Sequence, residues 1–235
     1  MAEPGEGARL SWREEPGAAA VPVSSRFDDP YFSLRGGLDE TRHVFLAGND
    51  LPARLREGFH VAELGFGTGL NLLALLLLRR AARIAAPMRF TSFEAFPMTA
   101  PEMARAHAAF PELAAVGPAL VAAWGAGARR FALEGVAVEI VAGDVRATLP
   151  AWDGCADAWF LDGFSPAKNP EMWGEPLMAE VARHTAPGGS FATYTAAGFV
   201  RRGLAAAGFE VARRPGHAGK RHMSAGRMPA IGDTE

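Results

Sequence analysis

The run Glu63-Leu64-Gly65-Phe66-Gly67-Thr68-Gly69-Leu70-Asn71 constrains the fold more than any other feature, setting three alternate glycines between an apolar run and a leucine-rich stretch. Such glycines let the backbone turn sharply and approach a ligand with no Cβ in the way, as at a strand-to-helix turn. From residue 59 onward short apolar runs alternate with helical stretches, which predicts an α/β fold: a mostly parallel, Rossmann-like sheet with helices on both faces. Strands are predicted over 59–64, 89–94, 136–142, 156–161 and 190–195, and helices over 71–83, 101–110, 175–185 and 198–207. The stretch 129–141 is compatible with a hairpin about Gly135. Two last strands, 210–214 and 222–228, are joined by Pro215-Gly216-His217-Ala218-Gly219.

Ahead of this domain (59–228), residues 1–25 are rich in Gly, Pro, Ala and Glu and are expected as a poorly ordered tail. Residues 26–58 read as a small N-terminal extension, in which 26–33 and 43–46 flank a Gly36-Gly37 hairpin turn. Residues 229–235 read as a C-terminal tail. With 235 residues, 49% hydrophobic and 21% charged, the chain suits one folded domain with an appendage. The single cysteine, Cys155, excludes a disulfide framework and a Cys-rich zinc site. The histidines are scattered, so no metal is expected. The apolar run 72–78 is far short of the roughly 20 residues of a membrane span, and residues 1–10 hold no signal-peptide core. A cytoplasmic protein is expected.

Charge is unevenly spread. Residues 196–235 hold seven Lys and Arg against three Asp and Glu, whereas residues 1–195 hold 17 against 23. The seven are Arg201, Arg202, Arg213, Arg214, Lys220, Arg221 and Arg227. They suit either a polyanion docking on one face or a solvated surface.

The dinucleotide fingerprint is G-x-G-x-x-G, but here the third glycine, Gly69, comes one residue early and an acid, Glu63, precedes the loop. A pyrophosphate would gain from the helix N-terminus and be repelled by Glu63. S-adenosyl-L-methionine carries a sulfonium, an ammonium and no phosphate, so an acidic rim suits it. Glu63, Gly65, Phe66, Gly67, Gly69, Leu70 and Asn71 are its expected cradle. Glu94 ends the second strand, where a carboxylate can accept both ribose hydroxyls. Asp144, after Gly143 at the end of the third, is placed to accept the adenine amine. Singly, each acid also reads as a solvated side chain or a helix cap. Their joint placement at the carboxyl ends of successive strands is what points to the cofactor.

The fourth strand ends in Asp162-Gly163-Phe164-Ser165-Pro166-Ala167-Lys168-Asn169-Pro170-Glu171-Met172-Trp173. A carboxylate at Asp162 is placed to accept N–H bonds from an amine, orient it and take its proton. With an ordinary carboxyl pKa near 4 it would be a weak base, so positioning is expected to be its larger part. Phe164 and Trp173 offer surfaces for a stacked base, and Lys168 a partner for a phosphate. The competing readings are a turn cap for Asp162 and a core residue for Trp173.

Several runs then match one family: Arg26-Phe27-Asp28-Asp29-Pro30-Tyr31-Phe32-Ser33, Gly37-Leu38-Asp39-Glu40-Thr41-Arg42, Gly48-Asn49-Asp50-Leu51, the glycine loop, Ser92-Phe93-Glu94, and Asp157 through Trp173. Ala196-Ala197-Gly198-Phe199-Val200-Arg201-Arg202-Gly203-Leu204 and Gly219-Lys220-Arg221-His222-Met223 match as well. Over about 21–228 the chain resembles the methyltransferase domain of the MnmC family of bacterial tRNA 5-methylaminomethyl-2-thiouridine biosynthesis enzymes. The resemblance implies a class I methyltransferase fold and methylation, by S-adenosyl-L-methionine, of the aminomethyl group on a tRNA wobble uridine. It implies the cofactor loop at 63–71, the ribose acid at Glu94 and the active-site aspartate at Asp162. With tRNA as partner, the terminal basic residues, Arg201, Lys220 and Arg221 among them, become candidate phosphate ligands. Many relatives continue into an FAD-dependent oxidase domain that makes the amine substrate, and no second glycine fingerprint occurs here. The amine would then come from a separate enzyme or from a missing oxidase half. Two other readings are methylation of a small-molecule amine and an inactive tRNA-binding module; intact Gly65, Gly67, Gly69, Glu94 and Asp162 oppose the second.

Overall fold

Two short strands, β1 (Leu10–Arg13) and β2 (Val21–Ser24), pair antiparallel near the N-terminus, and β2 pairs in turn with β3 (Asp29–Pro30). The structure is a computed structural model and describes residues 7–14, 19–33 and 36–230. These strands overturn the expected tail: β2 is buried throughout, and the Arg105 guanidinium lies 4.1 Å from the ring centre of Trp12. The tail expected at 1–6, 15–18 and 231–235 lies outside the described residues. The expected 26–46 hairpin is also replaced. Helix α1 (Gly37–Thr41) runs into a π-helical turn, Arg42–Leu46, and a 3-10 turn, Ala47–Asn49. Leu38, Thr41 and Phe45 recur at helical spacing and all are buried, so the apolar period of this stretch is that of a helix.

The main domain follows as β4 (His60–Leu64), α2 (Leu70–Ala81), β5 (Met88–Glu94), α3 (Ala100–His107), α4 (Gly117–Gly125), β6 (Arg130–Leu133), β7 (Val136–Ala142) and α5 (Val145–Thr148). It continues with β8 (Ala156–Leu161), α6 (Glu175–Arg183), β9 (Thr185–Thr193), α7 (Gly198–Ala206), β10 (Glu210–Pro215) and β11 (His222–Arg227). Local chemistry explains the helix starts. Thr99 and Glu102 form a reciprocal capping box on α3, with Pro101 in the first turn. Helix α4 is alanine- and glycine-rich with a weak polar face, and the sequence reading missed it.

The eight-stranded sheet has the order β10-β11-β9-β8-β4-β5-β7-β6. The five strands β7, β5, β4, β8 and β9 are parallel, and β6, β11 and β10 run antiparallel to their neighbours. Every residue of β4 is buried, as a central strand covered on both faces requires. Along β8 the side chains alternate between two cores: Phe160 joins Leu73, Phe90 and Met103, while Trp159 and Leu161 join Phe93, Met178 and Val200. The chain leaves β4 in one direction through β5 and β7, and returns on its other side as β8. The β4/β8 boundary is therefore the topological switch point, where open sheets bind ligands at the strand carboxyl ends. With the reversed β10–β11 hairpin at the edge, this is the expected class I methyltransferase arrangement.

Candidate active site

A cavity of about 800 Å³ opens over the carboxyl ends of β4, β5, β7 and β8, with Phe27, Asp29 and Tyr31 of the N-terminal segment along one side. Its floor is the glycine loop. Gly65 has φ +88°, and a Cβ there would stand 2.3 Å from the Asp162 carbonyl oxygen, so only glycine lets the two strand ends meet. Gly69, at φ +74°, caps α2, and a Cβ there would press on Leu120 at 2.7 Å.

Glu63 is fully buried beneath the loop and does not line the cavity. Its Oε1 accepts from Asn71 Nδ2 at 2.8 Å and its Oε2 from the Ser92 hydroxyl at 2.6 Å. Ser92 stands beside Glu63 because β4 and β5 pair in that register. Burial holds the Glu63 carboxyl well above the usual carboxylate range. The same Asn71 amide donates to Asp162 Oδ2 at 2.7 Å, so one side chain ties the acid ending β4 to the acid following β8. Asn71 Oδ1 is buried and has no hydrogen-bond partner among the described residues.

Burial pushes the Asp162 carboxyl up to about 7; the Asn71 hydrogen bond and the Lys220 charge oppose this, and the Glu40 charge adds to it. The expectation of an ordinary carboxyl near 4 is thereby corrected. An acid that titrates near neutrality is matched to proton transfer at the pH where it works. Burial also raises the Glu94 carboxyl, against the pull of backbone amides. Its Oε2 accepts from Gly67 N–H at 2.8 Å and its Oε1 from Phe96 N–H at 2.7 Å. Asp144 lines the cavity too, but it caps α5 and forms an ion pair with Arg146 at 2.6 Å, which holds its carboxyl below the usual range.

The loop after β8 is fastened at several points. Asp29 accepts from Ser165 N–H at 2.7 Å, and Tyr194 donates its hydroxyl to the Gly163 carbonyl at 2.6 Å. Phe164 lines the cavity, stacked on Phe27 at 4.8 Å between ring centres and met edge-on by Tyr31 at 5.0 Å. Trp173 does not line it. The indole is 2% exposed within the core, and its N–H donates to the Phe164 carbonyl at 2.9 Å. Its expected role as a stacking surface gives way to support of the loop. Lys168 stands outside the cavity, paired with Asp28 at 2.6 Å.

The terminal basic stretch does not form one patch. Arg213 and Arg214 point to opposite faces of β10, and Arg214 and Arg227 both reach Asp50, at 3.6 and 2.6 Å. Arg201 is half-buried on α7, outside the cavity, and its Nε has no hydrogen-bond partner among the described residues. Arg202, Arg213 and Arg221 are exposed. Lys220 lines the cavity, paired with Glu40 at 2.7 Å. Glu40, Asp29, Tyr31, Phe27 and Tyr194 are site residues the sequence reading passed over. Asp29 and Glu40 lie inside the family-like runs, which was the available signal; Tyr194 ends an apolar strand and carried none.

This set of groups suits a cationic nucleoside without phosphate: carboxylates at successive strand ends, a glycine floor, and an Asn71 carbonyl oxygen still lacking a donor. Fold and site together define an α/β protein of the nucleoside-binding class, with a cavity suited to such a ligand at its switch point. Residues 111–229 match the model of the S-adenosyl-L-methionine-dependent methyltransferases, and the chain belongs to that family. It is 46% identical over 230 residues to the tRNA 5-methylaminomethyl-2-thiouridine biosynthesis bifunctional protein MnmC of Chromobacterium violaceum, covering 93% of this chain and 34% of that protein. To the protein of the same name from Caulobacter sp. strain K31 it is 48% identical over 235 residues, covering 94% and 38%. The chain thus spans a little over a third of the length of these relatives. The crystal structure of MNMC2 from Aquifex aeolicus shares the fold, with a TM-score of 0.78 at 21% identity over 96% of this chain and 72% of that one.

Proposed function

We propose that this enzyme transfers the methyl group of S-adenosyl-L-methionine to the primary amine of a 5-aminomethyl-uridine, 2-thiolated or not, at the wobble position of tRNA. The observation that carries the reading is Asp162, held at the β4/β8 switch point by Asn71 with its carboxyl poised near neutrality. Similarity to the MnmC proteins over more than nine-tenths of the chain supports the acceptor.

When bound, S-adenosyl-L-methionine supplies a methyl group on a positively charged sulfur, which an amine lone pair displaces in line. The Gly65–Gly69 loop and Leu70 would receive the cofactor, with Glu94 accepting from its ribose and Asp144 meeting the adenine amine. Asn71, which lines the cavity, would help hold the cofactor's ammonium, while Glu63 keeps the Asn71 amide in place. Asp162 accepts an N–H of the substrate ammonium, takes its proton and so releases the lone pair. Phe164, backed by Phe27, borders the acceptor base. Exposed Arg202, Arg213 and Arg221 meet tRNA phosphates. The reaction belongs to the cytoplasm, and an oxidase domain or a separate enzyme supplies the amine.

The test is transfer of radiolabelled methyl from S-adenosyl-L-methionine into tRNA from cells lacking the enzyme, followed by nucleoside analysis. Label in a methylaminomethyl-uridine is expected. Label only in small amines, or none, would replace this reading.

A further inference from the structure

Where β8 ends, one ammonium faces several acids. Lys220 reaches in from the β10–β11 loop, its Nζ 2.7 Å from Glu40 Oε1 and 4.4 Å from the centre of the Tyr194 ring. The Glu40 side chain is only 12% exposed, a setting in which a carboxylate needs a partner. The loop carrying Lys220 is itself tied down: the His43 ring N–H donates to the Pro215 carbonyl at 2.9 Å, and Lys220 N–H to the His217 carbonyl at 3.0 Å. The Lys220 side chain is itself 45% exposed, but its ammonium is committed to a fixed carboxylate, and the pair lines the same cavity as Asp162.

We propose that the Glu40–Lys220 ion pair sets the charge of Asp162 and thereby its hold on the acceptor amine, with Lys220 a positioning residue rather than a phosphate ligand. The proposal rests on the reading of Asp162 as the carboxylate that faces the amine. A neighbouring cation favours the ionised carboxyl and a neighbouring anion the neutral one, and both members of the pair act on Asp162 in these opposite senses. The two act in opposite senses, so the cavity holds a cation together with its own counter-charge. The other groups beside Asp162 are the Asn71 amide, the Glu63 carboxyl behind it and the Tyr194 phenol. Substitution at 40 or 220 removes none of these side chains, though Lys220→Met gives up the contact with the Tyr194 ring.

The experiment is a ¹³C NMR titration of the Asp162 carboxyl in the full chain without RNA, the signal being assigned by its loss in Asp162→Asn. Glu40→Gln is expected to lower the midpoint and Lys220→Met to raise it, each by about one pH unit, the low end of what a neighbouring charge does to a carboxyl. The double variant falls between the two single variants. The acid limb of methyl transfer to tRNA moves in the same order. Midpoints that stay put, or that all move one way, overturn the proposal. Should Glu40→Gln fail to fold, Lys220→Arg against Lys220→Met decides it: the arginine variant keeps the wild-type midpoint and the methionine variant does not. Because the titration contains no RNA, the expected midpoints with unmodified tRNA would sink the substrate assignment alone.

Discussion

Asn71 Nδ2 lies 2.7 Å from Asp162 Oδ2, a hydrogen bond between residues 91 positions apart in the chain. The second proton of that amide goes to Glu63, so the orientation of the Asn71 side chain is determined and its carbonyl faces the other way. Two carboxyls, both raised by burial, are thus held by one neutral donor rather than by a cation. Replacing Asn71 by Leu removes the bond that favours ionised Asp162. The acid limb of the pH–rate profile should move to higher pH, and affinity for S-adenosyl-L-methionine should fall. A profile that superimposes on wild type would separate Asn71 from Asp162.

Asp162→Asn should cut turnover strongly while leaving cofactor affinity nearly intact. It should also stabilise the protein at alkaline pH. The Asp162 carboxyl titrates near 7 in the folded chain against 3.8 in its reference state, so its contribution to stability is present at low pH and is lost as pH rises from about 4 through 7. Relieving that buried charge at pH 8 is worth on the order of 4 kcal/mol. Thermal melts at pH 4 and pH 8 check the sign: equal Tm values at the first, a higher Tm for the variant at the second.

Wild-type turnover should itself rise through pH 7 as Asp162 ionises, and Glu94→Ala should leave that limb unmoved. What Glu94→Ala loses is cofactor affinity. Charge-assisted bonds to ribose hydroxyls are each worth about 1.5–3 kcal/mol, which predicts a loss of roughly tenfold or more. Calorimetry returning the wild-type dissociation constant would place the ribose elsewhere.

Gly65→Ala puts a methyl 2.3 Å from the Asp162 carbonyl oxygen, at a φ that alanine avoids. Strain of about 1–3 kcal/mol from the backbone alone, with the collision added, should lower Tm and weaken cofactor binding together. Neither neighbour can give way, since the contact is to backbone. An alanine variant with unchanged Tm and affinity would contradict the closeness of the two strand ends.

Arg221 is exposed and makes no ion pair with a described residue, unlike Lys220. Arg221→Ala should raise KM for tRNA and flatten its dependence on salt by about 0.7–0.9 in log–log slope, the effect of one lost phosphate contact. Methylation measured at several salt concentrations checks this against Lys220→Met, which should leave the slope alone.

The alternation of strands and helices, the glycine loop and the acids Glu94, Asp144 and Asp162 at strand ends were legible from the sequence, because each depends on local periodicity or on one residue's backbone freedom. The helical period of 38–45 was also in the sequence but was misread as a hairpin, through the weight given to Gly36-Gly37. Partnership was not legible. The chain alone does not say that Trp173 packs inside while Phe164 lines the cavity, or that Lys168 meets Asp28. Nor does it say that Lys220 crosses 180 positions to Glu40. The same carboxyl at Asp162 would titrate near 4 in water and does so near 7 here, because burial and neighbours from α1, α2 and the β10–β11 loop set its charge. Local chemistry placed the residues at the strand ends; only the packing of distant segments decided what each one faces.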